Sequence, residues 1–317
     1  MRKRLIGFAA TPELTTVALL AIAFVYSVWK IEGFWDRQYL LDQTSLYVET
    51  GLMAVAMTFV IVGGHIDLSC SAILALTGAV VATIYNKWNV SFGLLIAIAP
   101  LIGALLGAIN GVIVAKLKLP SLVVTLATMA TYRGLAQVLI GDHSLAPPDW
   151  YTGIDMAYTF GGHMPWPLLI LIIVTVVGAL VLHRTVVGRW VFAMGTSPDA
   201  ALYSGVPVSK ITISVFVLSG VLSSIAGLVM MSRLTVARYD MAAGSELDVI
   251  TAVVLGGASI FGGRGTLFGT IVALMLVGTL QTAMALKNVE SPYQQTANGA
   301  LLIFALLFSN LLGRLRK

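Results

Sequence analysis

Ten apolar stretches, most of them close to twenty residues long, alternate with short polar interruptions along the chain. Their approximate limits are 13–30, 46–64, 69–86, 91–115, 121–140, 165–183, 211–232, 248–262, 265–286 and 297–313. None shows the strict alternation of a barrel strand. A bilayer offers backbone N–H and C=O groups no partners but one another, so the pattern predicts transmembrane helices. The third stretch lacks a clear start, and the eighth is too short to cross upright unaided.

Composition strengthens this expectation. Of 317 residues, 58% are hydrophobic and only 10% charged, with a mean hydropathy of +0.93. Soluble domains carry about 25% charged residues, so this chain could not cover itself with polar surface. The fold class expected is an all-α integral membrane protein of about ten transmembrane helices in one transmembrane domain, residues 1–317. The basic start Arg2-Lys3-Arg4 before Leu14–Trp29 has the look of a signal peptide, but no small-x-small cleavage pattern follows, and the segment reads as a span that stays. The single cysteine, Cys70, permits no internal disulfide.

The net charge of +5 reflects sidedness rather than nucleic-acid binding. With the N-terminus inside, twelve Lys and Arg fall in inner segments and six in outer ones, and Arg133 lies within a span. The 141–164 loop carries no Lys or Arg but has Asp142, Asp149 and Asp155, which suits the outside. Both termini are therefore expected on the cytoplasmic face. Phe59-Val-Ile-Val-Gly-Gly64 echoes Ala252-Val-Val-Leu-Gly-Gly257, which suggests two related halves, roughly 46–140 and 211–313.

Between those halves lies the inner segment 184–210, which contains a short helix marked at both ends. Ser197 can cap it, Pro198 suits its first position, and Asp199 favours its positive end. Ala200, Ala201, Leu202, Tyr203 and Ser204 follow, Gly205 can close it, and Pro207 bars continuation. Such a knob suits a groove on a partner protein; the same spacing allows a helix lying flat on the membrane.

Isolated polar residues within the spans are the other candidates. Asp67 or Ser69 can cap the third helix at the break after Gly63-Gly64, and Asp67 is also a candidate gate or pathway residue. Asp67 is the one intramembrane carboxylate that an ion-driven transporter could use on this reading. Arg133 shares a helix face with Thr125, Met129 and Gln137, as a polar stripe along a solute path or as an arginine reaching outward to Asp142. Asn110 and Gln281 are candidates for the pathway or for helix–helix hydrogen bonds. His65, Asp67 and Cys70 lack further ligands nearby, so no metal site is expected. No phosphate-binding Gly-x-x-x-x-Gly-Lys-Ser/Thr occurs, and Gly257-Ala-Ser259-Ile has no later histidine to serve an intramembrane protease. The chain is not expected to be an enzyme.

Four motifs resemble one family. They are Gly188-Arg189 through Ala193-x-Gly195, Pro198-x-Ala200-Ala201, Gly205 and Lys210; Glu246-Leu-Asp-Val-Ile-Thr-Ala-Val-Val-Leu-Gly-Gly through Gly262-Gly-Arg-Gly-Thr to Thr270; Gly64-His-Ile-Asp-Leu-Ser69; and Ala108-Ile-Asn-Gly111 through Tyr132-Arg-Gly134. Together they resemble the permeases of ribose/galactoside-type (monosaccharide) ABC importers. The resemblance implies a cytoplasmic coupling helix over 198–204 and two permease copies, alike or different. It implies two partner ATPases that bind ATP and Mg, and a periplasmic substrate-binding protein. It implies a multi-pass protein of the bacterial inner membrane that imports a monosaccharide or similar small solute. A permease for an autoinducer or a branched-chain amino acid is the alternative. His65 stands where the family usually has glycine, and a second glycine is lost nearby, so a different local backbone is expected there.

Overall fold

The computed structural model describes residues 12–154, 157–159, 162–290, 292–294, 296–301 and 303. Its helices are α1 Pro12–Lys30, α2 Arg37–Val62, α3 Cys70–Trp88, α4 Phe92–Leu117, α5 Ser121–Ile140, α6 Trp166–Arg184, α7 Val186–Thr196, α8 Pro198–Tyr203, α9 Val208–Leu234, α10 Ser245–Leu255 and α11 Leu267–Leu286. The loop between α5 and α6 holds a two-stranded antiparallel ribbon, β1 Tyr158–Thr159 with β2 Met164–Pro165. Eight of the described helices are long and apolar enough to cross a membrane, and the protein is a multi-pass membrane protein.

Two of the ten expected spans differ from that expectation or escape description. The eighth is helical only over Ser245–Leu255. Eleven residues rise about 16 Å, half of a hydrocarbon core of about 30 Å. The apolar run continues to 262, but Gly256-Gly257 stops the helix. The tenth begins in a helical stretch at 296–301 and otherwise lies largely outside the described residues, as do Arg2, Lys3, Arg4, Asp155 and both chain ends.

α2 forms the centre of the bundle. Every residue from Gly51 to Val62 is buried, as expected of a helix that is apolar on all sides. α9, α6, α10 and α11 pack around it. The closest pairing joins α4 to α9. Gly103, Gly107 and Gly111 recur every four residues on α4, and a Cβ on Gly107 would lie 2.2 Å from the Phe216 carbonyl oxygen. Gly103 and Gly220 meet reciprocally, each with its absent Cβ within 2.2 Å of the other's carbonyl oxygen. Bare backbones permit this approach, and van der Waals contact holds it where lipid provides no hydrophobic drive.

The helix breaks after α2 and α10 have one geometry. Gly63 N–H donates to Phe59 O, Gly64 N–H to Ile61 O and His65 N–H to Val60 O. In the same order Gly256 N–H donates to Ala252 O, Gly257 N–H to Val254 O and Ala258 N–H to Val253 O. Gly64 and Gly257 sit at φ +81° and +97°, the left-handed region that glycine enters without a Cβ clash. His65 follows this turn as Ala258 follows the other, and its ring lies beside Phe216 with Nε2 3.4 Å from Thr212 Oγ1. α3 also packs on α9 as α11 packs on α1.

Candidate functional site

The short helix after position 197 forms as its sequence requires. The Ser197 hydroxyl accepts from Ala200 N–H, Pro198 occupies the first turn, and Asp199 sits at the positive end. The helix ends at Tyr203 with Ser204 as its cap; Gly205, at φ +81°, and Val206 donate back to Leu202 O and Ala201 O. Ala201 is buried against the protein, whereas Leu202 and Tyr203 project outward, Tyr203 with 91% exposure. Helix α7, which sequence reading had left within a loop, supports it from behind. Thr185 caps α7 by accepting from Gly188 N–H.

The base of this unit touches the break after α2 and the turn between α10 and α11. A Cβ on Gly195 would lie 1.8 Å from the Val62 carbonyl oxygen and 2.7 Å from Gly263 N. Gly263 N–H itself donates to Val62 O at 2.8 Å. The ends of α2, α7 and the 256–266 turn therefore meet backbone to backbone.

Asp67 is fully buried in a closed network. Its Oδ1 accepts from Ser69 N–H at 2.9 Å and Ser69 Oγ at 2.6 Å, and its Oδ2 accepts from Ser219 Oγ at 2.6 Å. Asn110 Nδ2 donates to Ser69 Oγ at 2.7 Å, and Tyr132 Oη donates to Leu106 O and Asn110 Oδ1. Asp67 and Asn110 are thus brought together, and both are occupied in joining α3, α4, α5 and α9. Asp67, through Ser69, organises the start of α3; the Ser69 side chain makes no cap bond of its own to the helix. Thr125 Oγ1 donates to Ile66 O, and Ser121 Oγ accepts from Ile66 N–H, so the start of α5 holds the same break.

Arg133 neither reaches outward nor meets Asp142. Its Nη1 donates to Tyr239 O at 3.0 Å and Met241 O at 3.3 Å, and its Nη2 donates to Ser71 Oγ at 3.3 Å. Ser71 Oγ donates in turn to Glu246 Oε2 at 2.6 Å. Arg133 thereby fastens the 235–244 segment that leads into half-length α10. An antiparallel bridge between Leu145 and Ala237 holds the segment's other side. Within it, hydrogen bonds from Arg238 keep the Asp240 carboxyl below the usual carboxylate range. Gln137, exposed, takes the partner expected for Arg133 and donates to Asp142 Oδ1. Gln281 lies half-buried on α11 and belongs to neither network.

Sequence reading named Tyr132 and Glu246 only as parts of motifs and did not single out Ser219 or Ser71, yet all four complete these networks from distant parts of the chain. It also treated Asp67 as the one carboxylate within the spans, whereas Glu49 is buried inside α2. Glu49 Oε1 accepts from Arg233 Nε at 2.9 Å, a pair that ties α2 to the end of α9. Among the described residues no three His, Cys, Asp or Glu side chains converge as metal ligands.

Comparison with known proteins agrees with this architecture. Residues 39–308 match the family described as branched-chain amino acid transport system / permease component. The chain is 39% identical over 279 residues to the ribose import permease protein RbsC of Haemophilus influenzae, covering 86% of this chain and 84% of that one. It is 36% identical over 296 residues to the autoinducer 2 import system permease protein LsrD of Escherichia coli, covering 92% and 89%. No solved structure matches the chain.

Proposed function

The chain belongs to the branched-chain amino acid transport system / permease component family, as a permease subunit of an ABC importer, and from that premise we propose that it carries a monosaccharide inward. It performs no catalysis of its own. An ATPase subunit and a substrate-binding protein work with such a permease. In our reading the complex contains two permease copies, alike or different, in a bacterial inner membrane, with the 184–210 end facing the cytoplasm. The excess of Lys and Arg at that end supports the orientation. The matching caps after α2 and α10 support two related halves.

The observation that carries the mechanism is the capped helix α8, with Leu202 and Tyr203 projecting outward and its base, at Gly195, resting on the end of α2 and on the turn between α10 and α11. ATP-driven closure of the ATPase pair pulls on α8, and the pull enters the bundle at Val62 and Gly263. Val62 is where α2 ends and Gly263 lies in the turn that joins α10 to α11, so the half-bundles rock there between outward and inward access. The two buried networks serve this motion as fixed joints: Asp67 locks α3 to α4, α5 and α9, and Arg133 locks the 235–244 segment to α5.

Uptake into proteoliposomes that hold the permease, its ATPase and its binding protein tests the reading. Deletion of 198–204 should abolish ATP-dependent uptake while membrane insertion continues. Persistent uptake refutes the coupling role. Labelled ribose competed with autoinducer-2 tests the substrate class; transport of autoinducer-2 without ribose overturns the monosaccharide assignment.

A further inference from the structure

The turn between α10 and α11 carries Phe261 at its tip. At 94% exposure it is the most exposed large apolar side chain among the described residues. The turn is well ordered by its own bonds: Ser259 N–H donates to Arg264 O at 3.0 Å, and Gly262 N–H donates to Ser259 O at 2.8 Å. A non-helical backbone of this kind does not face hydrocarbon, because its remaining N–H and C=O groups need water or protein. Phe261 and its exposed neighbour Arg264 therefore stand at the surface of the bundle rather than along its lipid belt.

The position of the turn indicates what covers it. A Cβ on Gly262 would lie 2.5 Å from Gly195 O, and one on Gly263 would lie 2.5 Å from Thr196 Oγ1. Thr196 immediately precedes Ser197, the cap of α8. The turn and the docking helix thus share one footing and emerge from the same end of the molecule. Each presents an almost wholly exposed aromatic ring, Phe261 on one and Tyr203 on the other. Aromatic residues and arginine are the types that anchor protein interfaces.

We propose that Phe261 and Arg264 form a second contact for the ATPase subunit that grips α8. The proposal rests on the coupling role of α8 and extends it. Force then reaches the Val62 carbonyl by two routes, through Gly195 from α8 and through the Gly263 N–H from the turn. Two grips on either side of one pivot transmit rotation as well as pull.

Site-directed cross-linking tests this, and the chain suits it because its one cysteine, Cys70, is buried. Phe261→Cys, Tyr203→Cys and, at the other end of the bundle, Trp150→Cys are labelled with a benzophenone maleimide in the assembled importer in nanodiscs, then irradiated. Cross-links from 261 and 203 to the ATPase, with none from 150, support the proposal. A cross-link from 203 with only lipid adducts from 261 overturns the second contact and leaves the coupling role intact. No ATPase adduct from either position overturns both. Phe261→Ala should weaken ATPase association by roughly tenfold, about 1.4 kcal/mol, the loss of one interface anchor. Unchanged association refutes the proposal.

Discussion

Gly195 and Val62 meet with no room for a side chain: a methyl group on Gly195 would lie 1.8 Å from the Val62 carbonyl oxygen. Backbone cannot retreat as a flexible side chain can. Gly195→Ala should therefore push α7 away from α2 at an overpacking cost of about 1–3 kcal/mol. We expect a lower unfolding temperature in detergent, and uptake that falls more steeply than ATP hydrolysis. Gly205→Ala provides the contrast. That site has open space but a left-handed backbone, so it should lose only about 1–2 kcal/mol through local strain.

The Asp67 network predicts an order of damage. Asp67→Ala removes an acceptor shared by Ser69 N–H, Ser69 Oγ and Ser219 Oγ, and each buried donor left unpaired costs about 1–3 kcal/mol. Ser219→Ala removes one donor and leaves the carboxylate its two bonds from Ser69. Thermal unfolding of the purified variants should rank wild type, then Ser219→Ala, then Asp67→Ala. The reverse ranking would show that Asp67 is not the centre of the joint.

Arg133 holds two carbonyls and one hydroxyl with a planar fork that lysine cannot reproduce. Arg133→Lys should release the 235–244 segment without unfolding the bundle. Hydrogen exchange at Ala237–Gly244 should rise at least severalfold, with α2 and α9 unchanged. Equal protection in both proteins would refute the fastening role.

Glu49 and Arg233 form a pair whose side chains are 5% and 18% exposed. Removing one member of a buried pair costs about 3–5 kcal/mol because the other charge is left behind. Glu49→Gln and Arg233→Met should each destabilise strongly, and the double variant should lose less than the two effects added. Strict additivity in a double-mutant cycle would show that the two residues do not interact.

What the sequence disclosed is chemistry that acts locally. Ser197, Pro198 and Gly205 mark their helix within nine residues, and the structure ends that helix within one residue of the expected limit. The repeated Gly-Gly pair likewise marked both breaks. The apolar run after Leu255 misled, because hydropathy does not register the left-handed turn that Gly257 makes. Partners distant in sequence stayed hidden: Ser219 lies 152 residues from Asp67, and Glu246 lies 175 from Ser71. The four-residue spacing of Gly103, Gly107 and Gly111 went unremarked, and nothing near it points to Gly220. Glu49 was overlooked because the polar beginning of α2 obscures how deeply its middle is buried.

The bond from Gly263 to the Val62 carbonyl pins the end of α2 to the turn before α11. A displacement of α2 carries the root of α11 with it, and the converse holds. On the proposed rocking mechanism, neither half swings alone without breaking that bond, and the passage opens and shuts as one throw, without a half-turned stop between.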